Sequence, residues 1–314
     1  MTPQENQISV IDPISPAIER VKTILFRPFD LGKWFIIGFC AWLAYLGESG
    51  GPNFNFGGQQ RHGHPGHVLN NAKEFIVENL FWILPLAIAV VLIIIVIGFV
   101  ITWLSSRGRF MFLHCVAVNK AEVKSPWHKF KKQGNSLFLF RIVVGLISFA
   151  VVMILIAMLV VIGVLLFAGR GEPNPISIIL LVLLAICLII PTAIVFALIT
   201  KFTNDFVVPI MFLRQGTCMT AWREFWPLLT GNKGRFTLYI LFQIVIALAI
   251  GIIIMACVCI TCCCLGCILA IPYIGTVLLL PILIFDRSYT LLYLRQYGAG
   301  YDVFEPEQAT TLAV

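Results

Sequence analysis

An all-α, polytopic membrane helical bundle of about six transmembrane helices, with amphipathic helices lying at its cytoplasmic interface, is predicted by three observations. The 314-residue chain is 60% hydrophobic and only 12% charged, against roughly 45–50% and about 25% in a soluble domain. A water-soluble fold has too little interior to hide that excess, whereas lipid solvates it directly. The apolar residues gather into stretches near the length of roughly 20 residues that spans a hydrocarbon core of about 30 Å. The basic residues, finally, fall almost entirely on one side of those stretches.

Spans are expected at 31–47, 81–104, 137–168, 176–200, 237–260 and 265–285, within a single membrane domain covering residues 1–314. The first is short and ends at Glu48, and the second is the cleanest. The third is too long for a perpendicular crossing and should tilt or project. A Gly-Arg-Gly-Glu-Pro-Asn-Pro turn, 169–175, divides it from the fourth. The sixth carries Pro272 and Pro281 and should be kinked, because proline lacks an amide donor and crowds the preceding turn. Residues 286–314 read as a cytoplasmic tail. Met1 to Ser15 is polar, so the first apolar segment is expected to serve as an uncleaved signal anchor.

Lysine and arginine set the orientation. Nineteen of the 22 basic residues fall in 1–33, 105–141, 201–236 and the stretch after Phe285, and only Arg61, Lys73 and Arg170 lie opposite. The basic side is the cytoplasm of a cell inner membrane, with both termini on it. The net charge of +7 is explained by this bias and by nearby anionic headgroups. It implies membrane lipid as a partner, and no recognition motif points to nucleic acid.

The cytoplasmic connections carry aromatic and basic residues at helical spacing. Pro16 to Phe29, Phe110 to Phe130 and Phe206 to Leu229 are read as helices lying in the interface. Two of them share a pattern. Arg109-Phe110-Met111-Phe112-Leu113-His114 is echoed by Pro209-Ile210-Met211-Phe212-Leu213-Arg214. Each is followed by a tryptophan (Trp127, Trp222), a phenylalanine three residues later (Phe130, Phe225) and a Gly-Asn turn before the next span. With a fainter N-terminal version, this suggests a threefold hairpin repeat.

Six of the ten cysteines, Cys257, Cys259, Cys262, Cys263, Cys264 and Cys267, occupy eleven residues between the fifth and sixth spans. Thiolates at this density can hold zinc or copper(I), can pair as a disulfide on an oxidising side, or can pack as small hydrophobes in a tight hairpin. The loop 47–67, with His62, His64 and His67, can hold a divalent metal loosely or act as a connector. Charged residues are nearly absent from the span interiors. Gln243 is the amide deep in the fifth, and Arg141, Lys201, Asp205, Asp286 and Arg287 stand at cytoplasmic span ends, as helix-end or pathway residues. A coupled pump with a relay through mid-membrane is therefore not expected.

No Gly-x-Ser-x-Gly, His-Glu-x-x-His or Gly-x-x-x-x-Gly-Lys signature occurs, so no catalytic residue and no cofactor is implied. The runs Asp205-Phe206-Val207-Val208-Pro209-Ile210-Met211, Cys218, Ala221-Trp222, Phe225, Ile271-Pro272-Tyr273-Ile274-Gly275, Leu280-Pro281, Phe285-Asp286-Arg287 and Leu294-Arg295-Gln296-Tyr297-Gly298 carry a resemblance. The chain resembles an uncharacterised family of bacterial polytopic membrane proteins, a domain of unknown function distantly similar to the membrane domain attached to some glycerophosphodiester phosphodiesterases. The resemblance implies a membrane module without the hydrolase, and it carries over no functional residue. The expected role is a non-enzymatic structural, lipid-associated or partner-binding module, associating with itself or with other membrane proteins. The alternatives are a transporter of a small molecule, lipid or ion, which needs a polar cavity near Gln243, and a metal-handling protein using the Cys257 to Cys267 cluster.

Overall fold

The computed structural model describes residues 8–47, 80–167, 175–261, 264–269 and 271–304. Among them the regular elements are helices, with no strand. In order they are α1 (Ile14–Leu25), α2 (Leu31–Tyr45), α3 (Leu80–Val118), α4 (Lys124–Lys129), α5 (Lys131–Phe167) and α6 (Pro175–Phe202). A π-helical turn (Thr203–Val207) joins α6 to α7 (Val208–Arg214), and α8 (Cys218–Gly231) and α9 (Lys233–Ile260) follow. The chain closes with α10 (Cys264–Leu269), α11 (Ile274–Leu278), α12 (Leu280–Arg295) and a 3-10 turn (Ala299–Tyr301).

Among the described residues four helices are long and apolar enough to cross a membrane: Leu84–Val118, Lys131–Leu165, the continuous Ile176–Arg214 run, and Lys233–Ile260. Their most apolar stretches pack against little else, so Leu92, Ile154, Leu183 and Ile252 all stand exposed. At 39 residues, α3 is about 58 Å long, roughly twice the thickness of a hydrocarbon core. Its second half has a different environment. From Ser105 to Ala117 it is enclosed almost all round, with Phe110, Leu113, Cys115 and Val116 fully buried.

That second half belongs to a folded base built from α1, α2, α7, α8, α12 and the adjoining ends of the long helices. Helix α2 runs antiparallel to α3 along it. Lys33 Nζ donates to Asn119 Oδ1 at 2.8 Å, the Cys40 and Cys115 sulfurs lie 3.8 Å apart, and Ser105 Oγ donates to the Ala44 carbonyl at 2.8 Å. The N-terminus of α2 is capped by Asp30, whose carboxylate accepts from the Gly32 amide. Helix α1 lies across α12, tied by Tyr289 Oη to the Val10 carbonyl and by Gln296 to the Ser9 backbone.

The predicted first span is therefore a 15-residue helix, about 22 Å long, alongside the basic end of α3 and not beside its exposed apolar half. The predicted sixth span is broken into α10, α11 and α12. Tyr273, between Pro272 and α11, takes φ 70°, a conformation strained for an aromatic residue, and its hydroxyl donates to the Phe35 carbonyl at 3.0 Å. Residues read as the start of a tail form the second half of α12, where Ser288 to Leu294 are buried.

The stretches expected to lie in the interface divide. Phe110 to Ala117 and Val207 to Met211 are core, because neighbouring helices cover their apolar side chains. Helix α8 keeps a surface, with Met219 and Trp226 exposed. The two echoed stretches end alike, in left-handed residues Asn119 (φ 58°) and Gln215 (φ 53°), followed by a shorter helix and then a long apolar one. Six spans and a threefold repeat are not reproduced as such among the described residues.

Candidate functional site

The base gathers polar side chains from three helices that are distant in sequence. Lys201 and Asp205 lie one turn apart where α6 enters the π-helical turn, and Lys201 Nζ stands 2.8 Å from Asp205 Oδ2. Tyr239, in the second turn of α9, donates its hydroxyl to Asp205 Oδ2 at 3.1 Å and lies 3.0 Å from Thr290 Oγ1 of α12. Gln243, one turn after Tyr239, donates Nε2 to the same phenol at 3.1 Å. Arg287 donates Nη1 to the Asn204 carbonyl at 2.7 Å, a group inside the π turn. Such turns admit an extra residue, free a carbonyl from the helical ladder and recur at functional sites.

A cavity of about 540 Å³ opens among these groups, within the size range of small-ligand sites. Arg109, Lys201, Asn204, Asp205, Asp286 and Arg287 give it polar walls, with Tyr45 and Phe112 beside them. A second cavity of about 530 Å³ shares Phe196, Thr200 and Asn204 with it. The carboxyl of Asp286, beyond the last residue of the predicted sixth span, is pushed above its ordinary range by burial and by the neighbouring Asp205 carboxylate, against the pull of Lys201, Gln243 and Arg287.

Of the polar residues expected from sequence, Lys201, Asp205, Gln243, Asp286 and Arg287 converge here. Arg141 does not. It lines the second cavity and donates to Ser105 Oγ at 3.3 Å. Sequence reasoning missed Arg109, Tyr239 and Thr290. The signal for two of them was the four-residue spacing that places Tyr239 with Gln243 and Asp286 with Thr290 on common helix faces. Arg109 was masked by its basic neighbourhood.

Tyr239→Phe removes the one hydroxyl shared by Asp205, Gln243 and Thr290. We expect it to cost about 1–3 kcal/mol, the penalty for leaving buried polar groups unsatisfied, read by unfolding in mixed detergent micelles. A variant as stable as the parent would show the hydroxyl to be idle.

The cysteine cluster lies elsewhere. Cys257 and Cys259 on α9 and Cys267 on α10 are exposed and free. Among the described residues no group of three histidine, cysteine or carboxylate side chains is placed to hold a metal. Cys262, Cys263 and the histidine loop lie outside the described residues, as does the Cys264 side chain.

With this geometry in view, the family model described as "Family of unknown function (DUF7544)" matches residues 8–304. The chain belongs to this family. No curated protein and no solved structure matches it. The DUF7544 match spans both the long apolar helices and the folded base, so the polar cavity lies wholly within the family's extent. Nothing in these comparisons supports the likeness to phosphodiesterase membrane domains.

Proposed function

We propose that this protein is a non-enzymatic, multi-pass module of the cytoplasmic membrane that binds a small polar or amphiphilic ligand at its cytoplasmic face. One observation carries the reading: four apolar helices are rooted in a single base, and that base encloses a polar cavity where the helices leave it. Lipid covers the projecting halves, where exposed leucines and isoleucines would otherwise meet water. The folded base lies at the basic end, where the charge bias places the cytoplasm. Crossings by the four long helices, completed by the short α2 segment and by residues 265–285, keep both termini cytoplasmic. On this reading the hairpin units are repeats whose ends have fused into one base.

The test is topological. In a cysteine-free chain, single cysteines placed at Gln4 and Thr310 should react with an impermeant maleimide only from the cytoplasmic side, and one at Asn174 only from the outside. Labelling of Gln4→Cys or Thr310→Cys from outside would overturn the orientation, and with it the site's placement.

Transport is a second reading, favoured by the way the two cavities share one wall of α6. It predicts solute flux into vesicles reconstituted with the protein, which a binding module does not produce.

A further inference from the structure

Arg287 is only 8% exposed, and its Nε is buried with no hydrogen-bond partner. Its Nη1 contact is to a neutral carbonyl. Among the described residues no carboxylate lies within ion-pair distance of it. Of the two acids that line the cavity, Asp205 is engaged with Lys201 and Tyr239. Burying a cation without a directly paired counter-charge is costly, and proteins ordinarily avoid it by pairing.

Arg109 and Lys201 line the same space, so among the described residues three cations and two carboxylates line the cavity. We propose that the cavity is an oxyanion site, in which a phosphate or carboxylate group docks against Arg287 with Arg109 and Lys201 flanking it. Guanidinium groups present a planar fork that matches both oxyanions.

The cavity is larger than a bare phosphate requires. The adjoining cavity is lined by Ile101, Val144 and Ile199, which suits hydrocarbon. Two sources of the same chemistry follow: the headgroup of an anionic lipid whose chain enters the second cavity, or a free phosphate or carboxylate. The lipid source rests on the membrane reading above; the free-anion source does not.

The experiment is thermal unfolding of the purified full-length chain in neutral detergent at constant ionic strength. One series adds inorganic phosphate or succinate. The other adds phosphatidylglycerol, with diacylglycerol as its phosphate-free control. A concentration-dependent rise in Tm is expected. A rise with phosphatidylglycerol and not with the free anions assigns the headgroup, and a rise with the free anions assigns the soluble source.

Arg287→Met should abolish the rise while leaving the ligand-free Tm at or above that of the parent, because an uncompensated buried charge is gone. An arginine with a merely structural role would lower the ligand-free Tm and leave the rise intact, and that result overturns the proposal. Lys201→Gln alters a partly exposed residue and should weaken binding about tenfold, the order of one charge-assisted contact. It carries the test if Arg287→Met does not fold. No rise in either series, or a rise undiminished in both variants, also overturns the proposal. Neither result touches the topology, which maleimide labelling reads separately.

Discussion

Phe206→Ala is expected to destabilise the protein by about 3–5 kcal/mol, the range for removing a large buried aromatic side chain. Phe206 is fully buried inside the π-helical turn. It stacks on Phe225 with ring centroids 5.2 Å apart and planes 11° apart. It meets Phe236 edge-on at 5.2 Å and Tyr239 at 5.1 Å. Those rings come from α8 and α9, and Tyr293 of α12 lies close behind. The cavity left by alanine has rigid aromatic walls on several sides, so collapse is slow to refill it and the cost falls at the upper end. Phe206 adjoins Asp205, so the same substitution should loosen the polar site and weaken any ligand-induced rise in Tm. Unfolding in mixed detergent micelles measures the first effect, and the ligand titrations measure the second. A loss below about 1 kcal/mol, the scale of an ordinary substitution, would show that the folded base is not where the stability resides.

The second large effect comes from a single methyl group. A Cβ at Gly108 would lie 2.5 Å from the Leu43 carbonyl carbon and 2.6 Å from the Ala44 nitrogen. Those are backbone atoms of α2, which no side-chain rotation can move aside. Gly108→Ala should therefore push α2 away from α3 and cost about 3 kcal/mol, the upper end for overpacking. The displacement also reaches Tyr45 and Ala44 at the cavity wall. Gly98→Ala, ten residues earlier on the same helix, is the internal control. Nothing lies within 4 Å of its added carbon, so helix propensity alone should make it neutral or stabilising by up to about 1 kcal/mol. Equal effects at the two positions would exclude close helix contact as the reason for glycine at 108.

The Gly98 and Gly108 pair shows the division between what the sequence states and what it conceals. Both are glycines in one apolar helix, and hydropathy treats them alike. Long apolar runs, by contrast, are legible on their own. Exposed carbon must be solvated by lipid or buried, and the runs at 81–104, 137–168, 176–200 and 237–260 became four long apolar helices as expected. Basic residues clustered at one set of helix ends were equally visible, because their positions along the chain show the clustering directly. The convergence of Lys201, Asp205, Gln243, Asp286 and Arg287 was half legible. Each stood out as a polar residue at or within a span, yet nothing local said that they face one another.

The predicted first and sixth spans are not among the long apolar helices, for a related reason. A hydropathy window asks whether a segment is apolar, and α2 and α12 are apolar because they line a core. In the residues themselves, contact with lipid and contact with another helix look the same. Phe110 to Ala117 misled in the opposite direction, since mixed aromatic and basic residues suit both an interface and an enclosed helix end with buried arginines. By itself, the sequence determined the apolar character of the long helices, the helical class and the polarity of the two helix ends, because each follows from local transfer free energies. Tertiary structure alone decided which apolar faces meet protein, that a π turn aims Asp205 at Tyr239, and that Arg287 is left beside a cavity with no carboxylate at ion-pair distance among the described residues. Those outcomes depend on contacts between residues up to 287 positions apart, as from Ser9 to Gln296, and no local pattern encodes them.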